Sequence, residues 1–229
     1  MALKKESKNM LIAVNLLAFA IILDVITSAI PGLNLSMPFG GKFFGLSMLP
    51  LVLIGLLVGL KYGLISGFIY ALYNFGVDYI VYIETLRVTL ESWTGISWSF
   101  GMIVLLILFD YVIPFTAFGL SGLFYDRFEK ITNVIKAIIL VSVIRLISST
   151  LSGVILWQSS ILYAQSEVEA GNADPNLATR IFSAMGENLW LYSFGYNFIY
   201  IFTTGVVVTL ITLVSFKRLK DIQTQFNPL

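Results

Sequence analysis

The sequence contains no cysteine and no histidine among its 229 residues. Disulfide bonds, metal sites built from Cys or His, and Ser–His or Cys–His catalytic pairs are therefore excluded. Charged residues are also scarce, at 12% of the chain, against roughly 25% in a typical soluble domain. The net charge of +1 comes without any dense basic run, so nothing indicates nucleic-acid binding. We expect no metal and no cofactor.

Apolar residues dominate instead, at 58% of the chain with a mean hydropathy of +0.89. They form blocks whose lengths approach the roughly 20 residues that a helix needs to cross a bilayer. The six predicted transmembrane helices cover residues 10–30, 45–60, 63–83, 98–124, 134–163 and 189–216. The longest polar connection is predicted at 164–179. The sequence therefore predicts an all-α integral membrane protein, forming one domain over residues 1–229.

The distribution of basic residues predicts the orientation in the membrane. With a cytoplasmic N-terminus, the inside segments would contain ten of the fourteen basic residues: Lys4, Lys5, Lys8, Lys61, Arg127, Lys130, Lys136, Lys217, Arg218 and Lys220. The outside segments would be richer in Glu and Asp. Both termini are therefore predicted to be cytoplasmic.

Four ionisable residues lie within the predicted spans, where a charge costs about 2.5–3.5 kcal/mol on insertion scales. Asp24 and Asp78 fall near the outer ends of their spans, where they would reach interfacial water, and we assign them no function. Asp110 and Arg145 lie near mid-membrane. Asp110 could pair with Arg145, stay protonated at a helix contact, or face a cationic ligand. Tyr111 follows it, and aromatic rings attract organic cations.

The fifth span places Arg145, Ser149, Gly153 and Trp157 at intervals of four residues, and therefore on one helix face. This spacing puts Arg145 near mid-membrane and Trp157 near the outer surface. Trp157 could instead be an interfacial anchor. Ser149 and Gly153 could simply allow close helix packing.

The sixth span begins with Tyr192 and Tyr196 on one face and Asn197 beside them. Asn within a span needs a partner on another helix or a ligand, although Tyr at a helix end is often only an anchor. Together with Asp110 and Trp157, these side chains predict an aromatic pocket with a few polar groups. Such a pocket would favour a flat cation that arrives from outside.

The first outside loop, LNLSMPFGGKFFG, combines Gly and Pro with aromatic residues. Met37, Phe39, Gly40 and Gly41 would suit a lid that closes over a ligand. The alternative is an ordinary turn between two spans.

Four segments resemble one transporter family in the same order and with similar spacing: LSMPFGG (35–41), FDYVIPFTAFGLSGLF (109–124), RLISSTLSGVILW (145–157) and YSFGYN (192–197). The family is the thiamine-specific S components of energy-coupling factor (ECF) transporters, of the ThiT or YuaJ type. The resemblance implies a six-helix vitamin-binding subunit in a bacterial plasma membrane. Its partners would be a transmembrane coupling protein and two cytosolic ATPases, and this chain itself has no G-x-x-x-x-G-K-[ST] loop for nucleotide.

The resemblance also implies roles for single residues. Asp110 and Tyr111 match the acidic residue that faces the thiazolium cation and its neighbour. Trp157 matches the aromatic residue that stacks on the pyrimidine, with Gly153 one turn before it. Tyr192 and Asn197 match the residues that contact the aminopyrimidine.

This chain departs from the family pattern at several positions. Ser149 stands where the family usually has His, and Phe39 stands where it usually has Gln, with Lys42 after the paired glycines. The first span does not keep the family's A-x-x-x-A spacing. A thiamine precursor or another vitamin is therefore an alternative ligand.

Three other classes of function stay open from the residues themselves. A self-sufficient proton-coupled carrier could use Asp110 and Arg145 as a relay. An intramembrane enzyme would need a nucleophile–base pair, and none is recognisable. A purely structural membrane protein would bind no solute.

Overall fold

The computed structural model describes residues 5–30, 32, 35, 37–80, 83–94, 97–127 and 130–226. Within these residues the chain forms helices and no β-strand. The ten α-helices are α1 (Lys5–Ala29), α2 (Met48–Val58), α3 (Leu60–Phe75), α4 (Ile83–Thr94), α5 (Phe100–Leu106), α6 (Ile113–Thr116), α7 (Ile131–Ile155), α8 (Gln158–Glu169), α9 (Leu177–Ala184) and α10 (Leu189–Phe226). A π-helical segment, Gly76–Ile80, extends α3. A second, Ile107–Val112, joins α5 to α6, and a 3-10 segment, Ala117–Arg127, follows α6.

Four stretches are long and apolar enough to cross a membrane: Lys5–Ala29, Phe100–Tyr125, Ile131–Ile155 and Leu189–Thr224. They overlap the first, fourth, fifth and sixth predicted spans, and they confirm a helical, multi-pass membrane protein. The predicted spans at 45–60 and 63–83 fall on α2 and α3, whose α-helical parts have only 11 and 16 residues. The number of six spans and the side on which the termini lie stay predictions.

Helix α2 forms the centre of the bundle. Its sequence, MLPLVLIGLLV, is apolar on every side, which is typical of a helix surrounded by protein. Ten of its eleven residues are buried, against α1, α3, α7, α10 and the segment Ala117–Arg127. The outer faces of the long helices carry exposed apolar side chains such as Val14, Ile139 and Phe202, as expected where lipid is the solvent.

The predicted fifth span, 134–163, is wrong as a single helix, because α7 ends at Ile155 and α8 begins at Gln158. The backbone N–H groups of Leu156 and Trp157 both donate to the carbonyl of Ser152, at 2.8 and 3.4 Å. This shared acceptor ends the regular hydrogen-bond ladder. The chain therefore turns at Trp157, which is the residue with the largest side chain on the predicted ligand-facing side of the fifth span.

The predicted polar connection at 164–179 is also corrected, since α8 continues to Glu169 and α9 begins at Leu177. The side-chain oxygen of Asn176 accepts hydrogen bonds from the N–H groups of Ala178 and Thr179, at 2.9 and 3.1 Å. Asn is a preferred residue at this capping position. The N-cap was therefore readable from the sequence, although α9 is short.

Candidate ligand-binding site

A cavity of about 490 Å³ lies between the loop after α1, the C-terminal part of α1, helices α3, α7 and α10, and the segment 110–118. Its volume is within the range of small-molecule sites. It is lined by nearly all the residues predicted for the site: Phe39, Gly40, Gly41, Asp110, Tyr111, Arg145, Ser149, Gly153, Trp157, Tyr192, Tyr196 and Asn197. Met37, the exception, is 3% exposed and packs in an apolar cluster with Tyr192 and Tyr196. The structure therefore brings the predicted residues to one place.

Asp110 and Trp157 are joined directly. The indole Nε1–H of Trp157 donates to Oδ2 of Asp110 at 2.8 Å, although the two residues come from different helical segments. The expectation that Asp110 lies near mid-membrane while Trp157 lies near the outer surface is therefore wrong, because the two side chains are in direct contact. Trp98 packs edge-on against Trp157, with 6.4 Å between ring centroids. The indole ring is thus fixed beside the carboxylate, which retains lone pairs for a ligand.

Arg145 is not paired with Asp110. No ion pair between them occurs in the part of the chain that the structure describes, so the structural ion pair considered above is wrong. The guanidinium of Arg145 lies 4.8 Å from the ring centroid of Phe118, and Nη1 is 3.7 Å from the sulfur of Met48. Its Nε is buried without a hydrogen-bond partner. Neither contact supplies a negative charge, and the residue lines the cavity.

The face predicted on the fifth span faces the cavity from Arg145 to Trp157. Gly153 also serves the packing of α7 on α10. A Cβ at this position would lie 2.1 Å from Oγ and 3.0 Å from Cβ of Ser193, so no larger residue fits without movement. Both alternatives for Gly153 are therefore correct, because it forms part of the cavity wall and also allows a close helix contact.

Tyr111 reaches a carboxylate that sequence reasoning had left without a role. Its hydroxyl donates to Oδ2 of Asp78 at 3.0 Å, and both residues line the cavity. Each belongs to one of the two π-helical segments, a geometry that is frequent at functional sites. The wider π turn changes which side chains face inward, and the sequence carried no signal for it.

The aromatic side chains of α10 divide into two roles. Tyr192 packs against Phe182 and Tyr196, with centroid separations of 5.4 and 5.6 Å. The hydroxyl of Tyr196 accepts from the N–H of Phe39 at 2.8 Å and donates to the carbonyl of Gly40 at 3.2 Å. Tyr196 therefore lines the cavity and at the same time holds the first loop.

Asn197 is satisfied mostly within the protein. Its Nδ2 donates to the carbonyl oxygens of Ser149 and Ser193 at 3.2 and 2.8 Å. Its Oδ1 accepts from the hydroxyl of Tyr200 at 2.8 Å. The amide thus connects α7 with α10 and positions Tyr200, which also lines the cavity.

The first loop, defined here as residues 37–47, closes one side of the cavity through Phe39, Gly40, Gly41 and Lys42. Gly41 has φ of +90°, and a Cβ there would lie 2.8 Å from the ring of Tyr200. Only glycine combines this backbone conformation with this close approach. The paired glycines therefore let the loop lie flat on α10.

Several cavity residues were missed by sequence reasoning. Asp24 and Asp78 line the cavity although we expected them only to reach interfacial water. Tyr200 and Thr204 continue the row of Tyr192 and Tyr196 at intervals of four residues, so the period of α10 could have found them. No sequence signal connects Asp24 with the loop, because that contact is made across the fold. No group of three Asp or Glu side chains that could hold a metal ion occurs among the described residues.

Two comparisons with known proteins find similarities. The family model described as thiamine transporter protein (Thia_YuaJ) matches residues 93–168. The chain is also 24% identical to the thiamine transporter ThiT of Bacillus subtilis (strain 168), over 87% of this chain and 85% of that protein. The resemblance to thiamine transporters is confirmed. The matched segment runs from α5 into α8, and Asp110, Arg145 and Trp157 fall within it.

The matched family and the matched protein are both described as transporters, which confirms the prediction that the chain is not an enzyme. The apolar helices and these matches together describe a multi-pass membrane protein with a role in transport.

Proposed function

We propose that the chain is the substrate-binding subunit of an ATP-driven vitamin importer, which captures thiamine from outside and delivers it with an ECF coupling module. The observation that carries the proposal is the cavity of about 490 Å³ in which the carboxyl group of Asp110 lies among aromatic side chains. Thiamine is a flat molecule with a permanent positive charge on its thiazolium ring. A carboxylate inside an aromatic cavity offers such a cation both charge and ring faces.

Each predicted site residue has a role in this proposal. Asp110 neutralises the thiazolium, and Trp157 stacks on a ring of the ligand while its N–H holds Asp110. Tyr192 and Tyr196 form the opposite aromatic wall. The polar edge of the ligand is bound by the remaining candidates, which are Tyr111, Ser149, Gly153 through its backbone, Asn197 and Arg145. The residues Met37, Phe39, Gly40 and Gly41 form the lid.

The finer architecture belongs to the same proposal. The chain forms one membrane domain with six spans and both termini in the cytoplasm of a bacterium. With this orientation in the plasma membrane, the cavity opens toward the outside of the cell. ATP would be hydrolysed by separate cytosolic ATPases, joined to this subunit by a transmembrane coupling protein, because the sequence has no phosphate-binding loop.

The proposal is tested by titrating the purified chain in detergent with thiamine and measuring binding by intrinsic Trp fluorescence and calorimetry. We expect one-to-one binding, and a loss of about 30-fold or more in affinity for Asp110→Asn, because truncating one side of a buried charge contact costs about 2–5 kcal/mol. Trp157→Ala should weaken binding as well. Asp174→Asn is the matched control, since it removes the same charge from an exposed position.

Other outcomes would change the conclusion in different ways. If the folded chain binds a thiamine precursor but not thiamine, Ser149 at the usual His position becomes the reason to reassign the vitamin. If Asp110→Asn binds thiamine as well as wild type, the proposed cation site is wrong. Liposomes that contain the chain alone should bind thiamine without accumulating it. Uptake driven by a proton gradient alone would instead identify a self-sufficient carrier.

A further inference from the structure

The first loop is held on two opposite sides of the cavity. On the α10 side, the hydroxyl of Tyr196 bonds with the backbone of Phe39 and Gly40, and Thr204 accepts from the N–H of Gly45 at 3.2 Å. On the α1 side, the ammonium group of Lys42 donates to Oδ1 of Asp24 and to Oγ of Ser28, each at 2.7 Å. The loop thus bridges α1 and α10.

The two sides differ in strength. The α10 side combines several neutral hydrogen bonds with packing, since Met37 is buried there and Gly41 lies against Tyr200. On the α1 side, the hydrogen bonds that the described residues make with the loop come from the single ammonium group of Lys42. The side chains of Lys42 and Asp24 are 33% and 15% exposed, so water can compete for this contact more easily than for the packed side. When the loop opens, the α1 side therefore separates first.

Separation at this point opens the cavity directly. Lys42 and Asp24 both line it, and no other element stands between them, because their charged atoms are in contact. An opening between α1 and the first loop would connect the cavity with the outer surface while Tyr196 still holds the other side of the loop.

We infer that the Lys42–Asp24 ion pair keeps the first loop closed and sets the rate at which molecules reach and leave the cavity. Lys42 acts here as a positioning residue, through the loop. The ligand in this inference is the one given by the proposed function, but the opening of the loop can be measured without any ligand. The two ideas can therefore fail separately.

The absence of cysteine allows a direct measurement of access. Ser149→Cys places one thiol in the cavity wall, and N-ethylmaleimide is an uncharged probe, so its local concentration does not respond to charge changes at the opening. In the detergent-purified chain without ligand, we expect Lys42→Met and Asp24→Asn each to raise the labelling rate about tenfold. The double variant should be no faster than either single one, because both changes remove the same contact. Lys42→Arg should keep the slow rate.

A thiol at an exposed position of α9, introduced by Ser183→Cys, is the control for general loosening. Its labelling rate should not change with Lys42→Met. The inference is overturned if the cavity thiol reacts equally fast in wild type and Lys42→Met, if the two single effects multiply in the double variant, or if the control thiol accelerates to the same extent.

Stopped-flow Trp fluorescence with thiamine separates this inference from the proposed function. Lys42→Met should raise the association and dissociation rates by similar factors, so Kd changes much less than either rate. A wild-type chain that binds no thiamine would overturn the proposed function and leave the thiol result intact. Thiamine binding with unchanged rates in Lys42→Met would overturn the ion pair's role.

Discussion

Adding one methyl group at Gly153 is expected to separate α7 from α10 and to weaken ligand binding. In Gly153→Ala, the new Cβ would lie 2.1 Å from Oγ and 3.0 Å from Cβ of Ser193. The hydroxyl of Ser193 is not free to turn away without loss, because it donates to the carbonyl of Thr150 at 2.9 Å. The helices must therefore move apart or that bond must break.

The magnitude follows from these two costs. Overpacking in a well-packed interior costs about 1–3 kcal/mol, and the lost hydrogen bond adds about 1 kcal/mol. Asn197 donates to Ser149 across the same interface, so the displacement also disturbs the cavity. We expect a lower midpoint of thermal unfolding and a loss in thiamine affinity of about tenfold or more.

Gly205→Ala is a matched control at the same pair of helices. A Cβ at Gly205 would lie 3.3 Å from Oγ of Ser142, a distance that a small shift relieves, so its effect should be much smaller. Thermal unfolding followed by Trp fluorescence in detergent, with thiamine titration in parallel, compares the variants. The second change Ser193→Gly should restore part of the stability lost in Gly153→Ala. Wild-type stability and affinity in Gly153→Ala alone would refute the close-contact argument.

Two further predictions use matched pairs. Tyr196→Phe removes both hydroxyl bonds to the first loop, so thiamine should dissociate about tenfold faster in stopped-flow measurements. Tyr192→Phe should change the dissociation rate little, because no hydroxyl hydrogen bond of Tyr192 occurs among the described residues. Equal effects of the two changes would contradict the loop contact. Arg145→Met keeps an unbranched side chain against Phe118 and removes a buried charge without a carboxylate partner. Thermal stability should therefore stay at or above that of wild type while thiamine affinity falls, and Arg145→Lys should keep more of the affinity. Lost stability with unchanged affinity would show a structural role for Arg145 instead.

Helical periodicity is the reason why much of the cavity could be predicted. The intervals of four residues from Arg145 to Trp157 and from Tyr192 to Tyr196 depend only on the geometry of an α-helix. The intramembrane carboxyl group of Asp110 stood out because a charge in a span requires a partner or a ligand. These arguments need no knowledge of how the helices are arranged.

The contacts that depend on the arrangement of helices could not be predicted in this way. The bonds from Trp157 to Asp110 and from Tyr111 to Asp78 join residues 47 and 33 positions apart. The break after Ile155 and the two π-helical segments change the direction of side chains without a distinct sequence pattern. Asp24 looked like an interfacial residue because its partner, Lys42, is brought to it only by the fold.

The separation of Asp110 from Arg145 makes physical sense in a binding cavity. A direct ion pair would offset part of the cost of removing both charges from water. If Asp110 were paired with Arg145, however, a cationic ligand would have to break that pair, and the energy needed would be subtracted from its affinity. Asp110 is instead held by the neutral indole of Trp157, and Arg145 lies against Phe118 and Met48. In the proposed function, a cation can bind Asp110 without displacing another charge. The attraction that Asp110 does not make with Arg145 in the empty protein is then available to stabilise the complex with the cation.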